Sequence, residues 1–321
     1  MAVETQASQE QEKSYAGSKL RRQETQSLYD RLWLTDPEQF NPLRNIMERT
    51  RLERTLRLVQ DNVDLKGKKV ADLGCGSGAL DRMLRDAGAH VDAVDISSIA
   101  LKKLEEQGAE ALTPIQGYVP MTLLKDDAYD LVVCTELIGE LQEDEYRLLF
   151  SELARIVKSD GFVVCSTSLD IHSMDALQRF GTLAETELQV DHWVLSYHRL
   201  WIRLKDFFSA PARFDRASGD PEWRKRQIDQ RHGFDEWWFK VNSTPVPAFF
   251  WRLIKLLFIP FVALIKNSKG LLLLLERFSS LFFGEEGISQ AILIGKRRAL
   301  FLELPANEIP KERKKKHQVW E

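Results

Sequence analysis

Apolar residues recur at helical spacing between Ser27 and Asn62: Leu28, Leu32 and Leu34, then Ile46, Leu52, Leu56 and Leu58, with a break near Asn41-Pro42. That spacing predicts two helices ahead of the core. Between Lys68 and Ser168 the pattern changes to short β-branched runs separated by helical stretches, which predicts a parallel sheet with crossover helices. Strands are expected at 69–73, 90–95, 131–135 and 162–167, and helices at 79–87, 99–108 and 143–157, the last amphipathic through Leu148, Leu149, Leu153 and Ile156. Beyond Ser168 the periodicity is helical and aromatic, and six of the eight tryptophans fall there (Trp193, Trp201, Trp223, Trp237, Trp238, Trp251). One more strand is predicted at 288–294.

Composition narrows the picture at both ends. Residues 1–25 are rich in Gln, Glu, Ser and Lys; with so little apolar surface to bury they are expected to form a disordered tail. Residues 304–321 carry the basic cluster Lys311, Arg313, Lys314, Lys315 and Lys316, read as a solvated tail or a weak attraction to an anionic surface. The 321 residues leave room for one large domain with an elaboration. With 45 Lys+Arg against 48 Asp+Glu the net charge is −3, which excludes a uniformly basic nucleic-acid coat. Three cysteines, Cys75, Cys134 and Cys165, form no disulfide framework or paired zinc spacing, so a reducing compartment is expected. The first residues carry acids and amides where a signal peptide needs a basic end and an apolar run. A cytoplasmic location follows, with the inner membrane surface as the alternative.

The chemistry concentrates at Val70-Ala71-Asp72-Leu73-Gly74-Cys75-Gly76-Ser77-Gly78, a predicted strand running through three alternate glycines into a helix. Such a loop lets backbone approach a ligand and points helix-start N–H groups at it. The next strand ends at Val94-Asp95-Ile96-Ser97, where a carboxylate can accept from both ribose hydroxyls of an adenosine. Two nucleoside cofactors fit that spacing. A nicotinamide dinucleotide would read Gly74-x-Gly76-x-x-Ala79, but Asp72 would then add negative charge beside a diphosphate. The same acid suits a donor bearing an ammonium and a sulfonium.

These stretches resemble the class I S-adenosylmethionine-dependent methyltransferases. Asp72 to Gly78 is similar to the family's first motif and Val94 to Ser97 to its second. Tyr129 to Cys134 is similar to the fourth-strand motif, and Leu153 to Phe162 to the helix-to-fifth-strand motif. The likeness covers about a third of the chain, residues 68–168, and the final strand. It implies a Rossmann-like, doubly wound, seven-stranded α/β sheet with a large helical insertion before the last strand, and S-adenosyl-L-methionine as cofactor. Residue by residue, it implies that Gly74, Cys75, Gly76 and Gly78 wrap the methionine moiety, Asp72 orients the loop, Asp95 holds the ribose and Ile96 packs on the adenine. Many members read the adenine amino group with Gly-Asp after the third strand; here Gly117-Tyr118 stands there, and Tyr118 offers a stacking face instead. Glu136, after the fourth strand, joins the candidate cofactor contacts. Cys75 is read as a small structural residue and Asp130 as a strand anchor.

Methyl transfer is an in-line displacement that needs alignment and water exclusion, with a base only where the nucleophile must lose a proton. In quinone and other small-molecule methyltransferases the segment after the fourth strand ends in Glu-His; here it reads Thr135-Glu136-Leu137-Ile138-Gly139-Glu140. Glu140 is therefore the candidate base or acceptor-binding carboxylate, a solvated helix-start acid being the alternative. Glu136 and Glu140 lack a third metal ligand, so no metal is expected. His192 and His198 fall in the aromatic stretch, read as an acceptor lid or as ordinary core.

From Val246 to Ile265 sixteen of twenty residues are apolar. Thirteen Leu, Ile, Phe or Val contribute about −6 kcal/mol toward membrane insertion, which Arg252 and Lys255 cancel at about +6. Placed on one helix, Arg252, Lys255, Lys266 and Lys269 make a basic edge beside a broad apolar face, which favours lying in an interface over crossing it. Packing inside the lid or a dimer contact is the alternative. The expected organisation is a tail (1–25), N-terminal helices (26–62), a cofactor-binding core (63–170), a helical aromatic insertion with membrane contact through 246–275 (171–285), a final strand (286–303) and a basic tail (304–321). The expected activity is methyl transfer to a hydrophobic small molecule or lipid-like acceptor. Protein or RNA methylation, or a non-catalytic binding module on the same fold, are the alternatives.

Overall fold

The β-branched runs that set the pattern of the core become seven strands: β1 (Lys69–Leu73), β2 (His90–Asp95), β3 (Leu112–Gln116), β4 (Tyr129–Thr135), β5 (Val157–Ser168), β6 (Leu188–Ser196) and β7 (Gln290–Arg297). The computed structural model describes residues 20–108, 110–141, 145–169, 174–229 and 231–298; the expected basic tail and most of the expected N-terminal tail lie outside them. The strands form one sheet in the order β3-β2-β1-β4-β5-β7-β6, with β7 antiparallel to both neighbours. From β1 the chain winds outward through β2 and β3, then returns to build β4 and β5 on the other side. The carboxyl ends of β1 and β4 therefore flank a topological switch point, where such sheets open a ligand crevice.

Burial explains why these segments are strands. β1 and β4 are almost entirely inaccessible, as expected for a parallel sheet covered on both faces. One face packs Val70, Val91, Leu131, Val133, Val164 and Ile292 against Leu52, Val59, Leu80 and Leu84. These last come from α2 (Ile46–Asn62) and α3 (Ala79–Asp86). α4 (Ser98–Glu106) is capped by the Ser97 hydroxyl, which accepts from the Ala100 amide. α5 (Tyr146–Ile156) buries Leu149, Phe150, Leu153 and Ile156, each contributing about 1.5–3 kcal/mol through removal from water.

Three expectations change. The boundary of the N-terminal tail falls inside a helix, α1 (residues 20–35). Its first turns are held by charge: Arg21 lies 3.8 Å from the Glu145 carboxylate and Arg22 sits over the Tyr118 ring. A hydropathy argument does not see such anchors. Second, α6 (Met174–Glu187) is followed by β6, so the large helical segment begins after the sixth strand and not after the fifth. β6 is an edge strand with exposed Asp191 and His192 and a register shift between Val190 and His192, which breaks the alternation that would have marked it. Third, the apolar run near residue 250 is two helices, divided at Ser268.

The described residues divide into two compact units, the second comprising Leu43–Thr50 and Tyr197–Ile288. It contains α7 (Arg199–Gly219), α8 (Pro221–Asp229), α9 (Gly233–Asn242), α10 (Pro245–Asn267) and α11 (Lys269–Phe283). Its core joins Ile46, Trp201, Ile265 and Leu272, and the Trp201 indole donates to the Ile265 carbonyl at 3.1 Å. Phe214, Ala217 and Phe239 form a second cluster.

Candidate functional site

At the carboxyl end of β1 the glycines adopt φ values that side chains rarely tolerate: +82° at Gly74, +55° at Gly76 and +76° at Gly78. The loop is fastened to β2 from both sides. The amides of Gly74 and Cys75 donate to the Val94 carbonyl at 2.8 and 3.0 Å, and the Gly76 amide donates to Asp95 Oδ2 at 2.9 Å. The other Asp95 oxygen accepts the Ser97 amide at 2.8 Å. Burial pushes the Asp95 pKa up, opposed by those two amide bonds. Asp95 thus stands beside the glycine loop as the sequence predicts, with Ile96 half-buried next to it.

Asp72 is 2% exposed at the end of β1. Behind the loop it faces a carboxyl that sequence reasoning missed, Asp81 in the first turn of α3, which is 0% exposed. The missed signal is an acid on the buried stripe of an amphipathic helix. Among the described residues Asp72 Oδ1 and both Asp81 oxygens have no donor. Cys75 is half-buried beside them, and its thiol is pushed up by burial and by Asp81, Asp95 and Asp72, which keeps it protonated and structural.

Gly117 donates its amide to the Asp95 carbonyl at 3.0 Å; a Cβ there would meet Val94 Cγ1 at 2.8 Å, so glycine is needed for packing. The Tyr118 hydroxyl donates to Glu145 while Arg22 covers its ring at 5.0 Å. Glu136 has a left-handed φ of +61°. Its carboxylate accepts from Ser166 Oγ at 2.8 Å, Gln290 Nε2 at 3.0 Å and the Ser168 hydroxyl, with Arg51 at 3.3 Å. These bonds make the Glu136 side chain a clamp joining β4, β5, β7 and α2.

The first N-terminal helix was expected, but not that residues of α1 reach several strand ends. Asp30 Oδ1 accepts the Ser97 hydroxyl at 2.7 Å and the Ile99 amide at 3.3 Å. Tyr29 donates to the Glu140 carboxylate, and burial together with that carboxylate pushes the Tyr29 hydroxyl up, keeping it a donor. Trp33 is buried against the loop, 3.3 Å from where a Gly76 Cβ would stand, and stacks on Phe40. The two histidines separate: His192 lies on β6, whereas His198 is buried at the start of α7 in the other unit. Among the described residues no three His, Cys, Asp or Glu side chains gather as a metal site. Asp130 accepts the Lys69 amide and the Lys158 ammonium, both at 2.9 Å, and so anchors its strand.

Left-handed glycines, a ribose-height carboxylate and a buried acid pair define a nucleoside-binding Rossmann-like site. Its charge separates the two cofactor alternatives: a diphosphate would meet Asp72, Asp81 and Asp95, whereas a sulfonium and an ammonium would be stabilised by them. The family model described as a methyltransferase domain matches residues 70–161. Over 139 residues the chain is 30% identical to the ubiquinone biosynthesis O-methyltransferase of Thiobacillus denitrificans, covering 42% of this chain and 57% of that protein. The protein of the same name from Bordetella avium is 32% identical over 146 residues, covering 44% and 57%. The chain thus spans just over half the length of these relatives. The N-methyltransferase NodS of Bradyrhizobium japonicum, solved with S-adenosyl-L-homocysteine, aligns with TM-score 0.44 at 18% identity, covering 53% of this chain and 88% of that one. Over residues 70–161 the chain is similar to methyltransferase domains, and the residues of the site fit S-adenosylmethionine as donor. Gly74, Gly76 and Gly78 would cradle the methionine part and Asp95 the ribose.

Proposed function

We propose that the chain transfers a methyl group from S-adenosylmethionine to a hydroxyl of a hydrophobic, lipid-like small molecule at the cytoplasmic face of a membrane. The observation that carries the transferase reading is the Asp95–Gly76 clasp, which sets a charged acceptor of hydrogen bonds against a left-handed glycine loop. The donor supplies a methyl group on positive sulfur. This chain's residues bind and orient it and keep water out, with Trp33 closing over the loop. Glu140 is the group proposed to take the acceptor's proton, its carboxylate oriented by the Tyr29 hydroxyl. Similarity to O-methyltransferases of ubiquinone biosynthesis supports an oxygen nucleophile on a lipid-like acceptor.

The membrane part of the reading rests on the second unit. α10 has 23 residues, and only 11% of its most apolar stretch is buried. At about 1.5 Å per residue it would reach across a bilayer core of about 30 Å. Its charges argue for lying flat. Arg252 donates to Asp215 of α7 at 2.8 Å and Lys255 to the other Asp215 oxygen, and a spanning helix would abandon both bonds. Asp215 is held below its ordinary pKa, Lys255 being the largest cause and Arg252 another. This corrects the expected basic edge: Arg252 and Lys255 are tethers to α7, and Lys269 belongs to α11. The outward arc is uncharged. Phe249, Phe250, Leu253, Leu256, Leu257 and Leu264 are exposed and, at about 100° per residue, share an arc of roughly 120°.

The test is incubation with methyl-labelled donor and separately with lipid, RNA and protein fractions of a cell extract. Label in a hydroxylated, solvent-extractable compound is the expected result. Label in RNA or protein would replace the acceptor reading, and donor binding without transfer to any fraction would leave a binding module.

A further inference from the structure

Asp72 and Asp81 come from different elements, β1 and α3, and are neighbours at the glycine loop, each raising or lowering the other's proton affinity. They are 2% and 0% exposed, and among the described residues Asp72 Oδ1 and both Asp81 oxygens lack a donor. Ionised carboxylates only accept hydrogen bonds. Two of them in contact in a dry site repel, and one proton turns the repulsion into a hydrogen bond. Asp81 Oδ2 lies 3.2 Å from where a Gly78 Cβ would stand, so the pair adjoins the loop proposed to hold the donor's charged end. We propose that Asp72 and Asp81 share one proton in the donor-free protein and release it to solvent when a cationic donor enters the glycine loop, which makes Asp81 a positioning residue that couples donor affinity to pH.

The surroundings agree in sign. Asp95 at the end of β2 and Cys134 on β4 face the pair and add to its proton affinity, and Cys75 adjoins it from the loop. Arg82 on α3 opposes them, while its guanidinium donates to the Ser77 carbonyl at 2.8 Å. Burial is the largest influence on both acids; it raises Asp72 well above the usual carboxylate range and pushes Asp81 up to about 7. A sulfonium and an ammonium arriving nearby favour the ionised form. Affinity for the donor then rises with pH until the donor-free pair has already given up its proton. Linkage of one proton limits the slope to tenfold per pH unit.

The inference rests on the proposed donor, and calorimetry separates the two. S-adenosylmethionine is titrated into the full chain at pH 6 in buffers of different ionisation enthalpy, with neutral 5′-methylthioadenosine as the control. Expected are release of up to one proton with the cationic donor, none with the neutral nucleoside, and loss of release in Asp81→Asn. Donor binding with no buffer-dependent heat in the wild type overturns the proposal whatever the variant does. Release that persists in a folded Asp81→Asn overturns the assignment to this pair. Binding of neither nucleoside at any pH defeats the donor reading itself, and the inference with it.

Discussion

Asp95 Oδ2 accepts the Gly76 amide at 2.9 Å, so the carboxylate placed to hold a ribose also fastens the loop opposite it. Asp95→Ala therefore touches both the donor and the loop. The structure predicts two losses. Charge-assisted bonds contribute about 1.5–3 kcal/mol, so the donor dissociation constant should rise roughly ten- to 150-fold. The melting temperature of the donor-free protein should fall as well, since the Gly76 and Ser97 amides lose their acceptor. Calorimetry and a thermal melt read the two separately; unchanged donor affinity refutes the ribose assignment.

The acid pair makes a second claim, about stability without donor. Burial raises both Asp72 and Asp81 above their unfolded value of 3.8, so the folded chain binds more protons than the unfolded one above that pH. Stability then falls as pH rises from about 4 toward about 7. The carboxylates held low, Asp130, Asp215 and Glu236, act oppositely but only as pH drops toward 4 and below. Melts at pH 5 and pH 7.5 should show the wild type losing several degrees more than Asp81→Asn. Equal slopes would mean the pair is ionised in both states.

How much of this was legible beforehand depends on which force orders each residue. The loop after β1 and the acid ending β2 were readable because glycines and a carboxylate at that spacing have few other uses. Asp81 was hidden because nothing in an amphipathic pattern says that an acid will face inward. α1 was underread because Arg21, Arg22, Tyr29 and Asp30 are ordered by Glu145, Tyr118, Glu140 and Ser97, partners up to 124 residues away in the chain. The charges of α10 were visible but their direction was not, because Asp215 lies 37 residues before Arg252.

Gly78→Ala should be costly where Gly139→Ala is not. At Gly78 the backbone has φ of +76° and a Cβ would stand 2.7 Å from Leu104 Cδ1, whereas at Gly139 nothing among the described residues lies within 4 Å. Left-handed backbone adds about 1–2 kcal/mol for a non-glycine residue and overpacking about 1–3 kcal/mol. Denaturant unfolding should give a loss of roughly 2–4 kcal/mol for the first variant and under 1 kcal/mol for the second. A near-neutral Gly78→Ala would mean that Leu104 has room to move.

The outward arc of α10 and its inward tethers should separate in a membrane assay. Leu253 and Leu257 are 52% and 70% exposed, so Leu253→Glu with Leu257→Glu removes little from the folded core. If this arc enters the headgroup boundary, losing two leucines and adding two charges costs several kcal/mol of partitioning. Co-sedimentation with anionic liposomes should fall at least tenfold while the melting temperature holds within about 2 °C. Asp215→Ala should do the reverse. It strips Arg252 and Lys255 of their partner, lowering the melting temperature while leaving the arc and its lipid binding in place. Liposome binding unchanged by the leucine pair would assign the arc to protein packing instead.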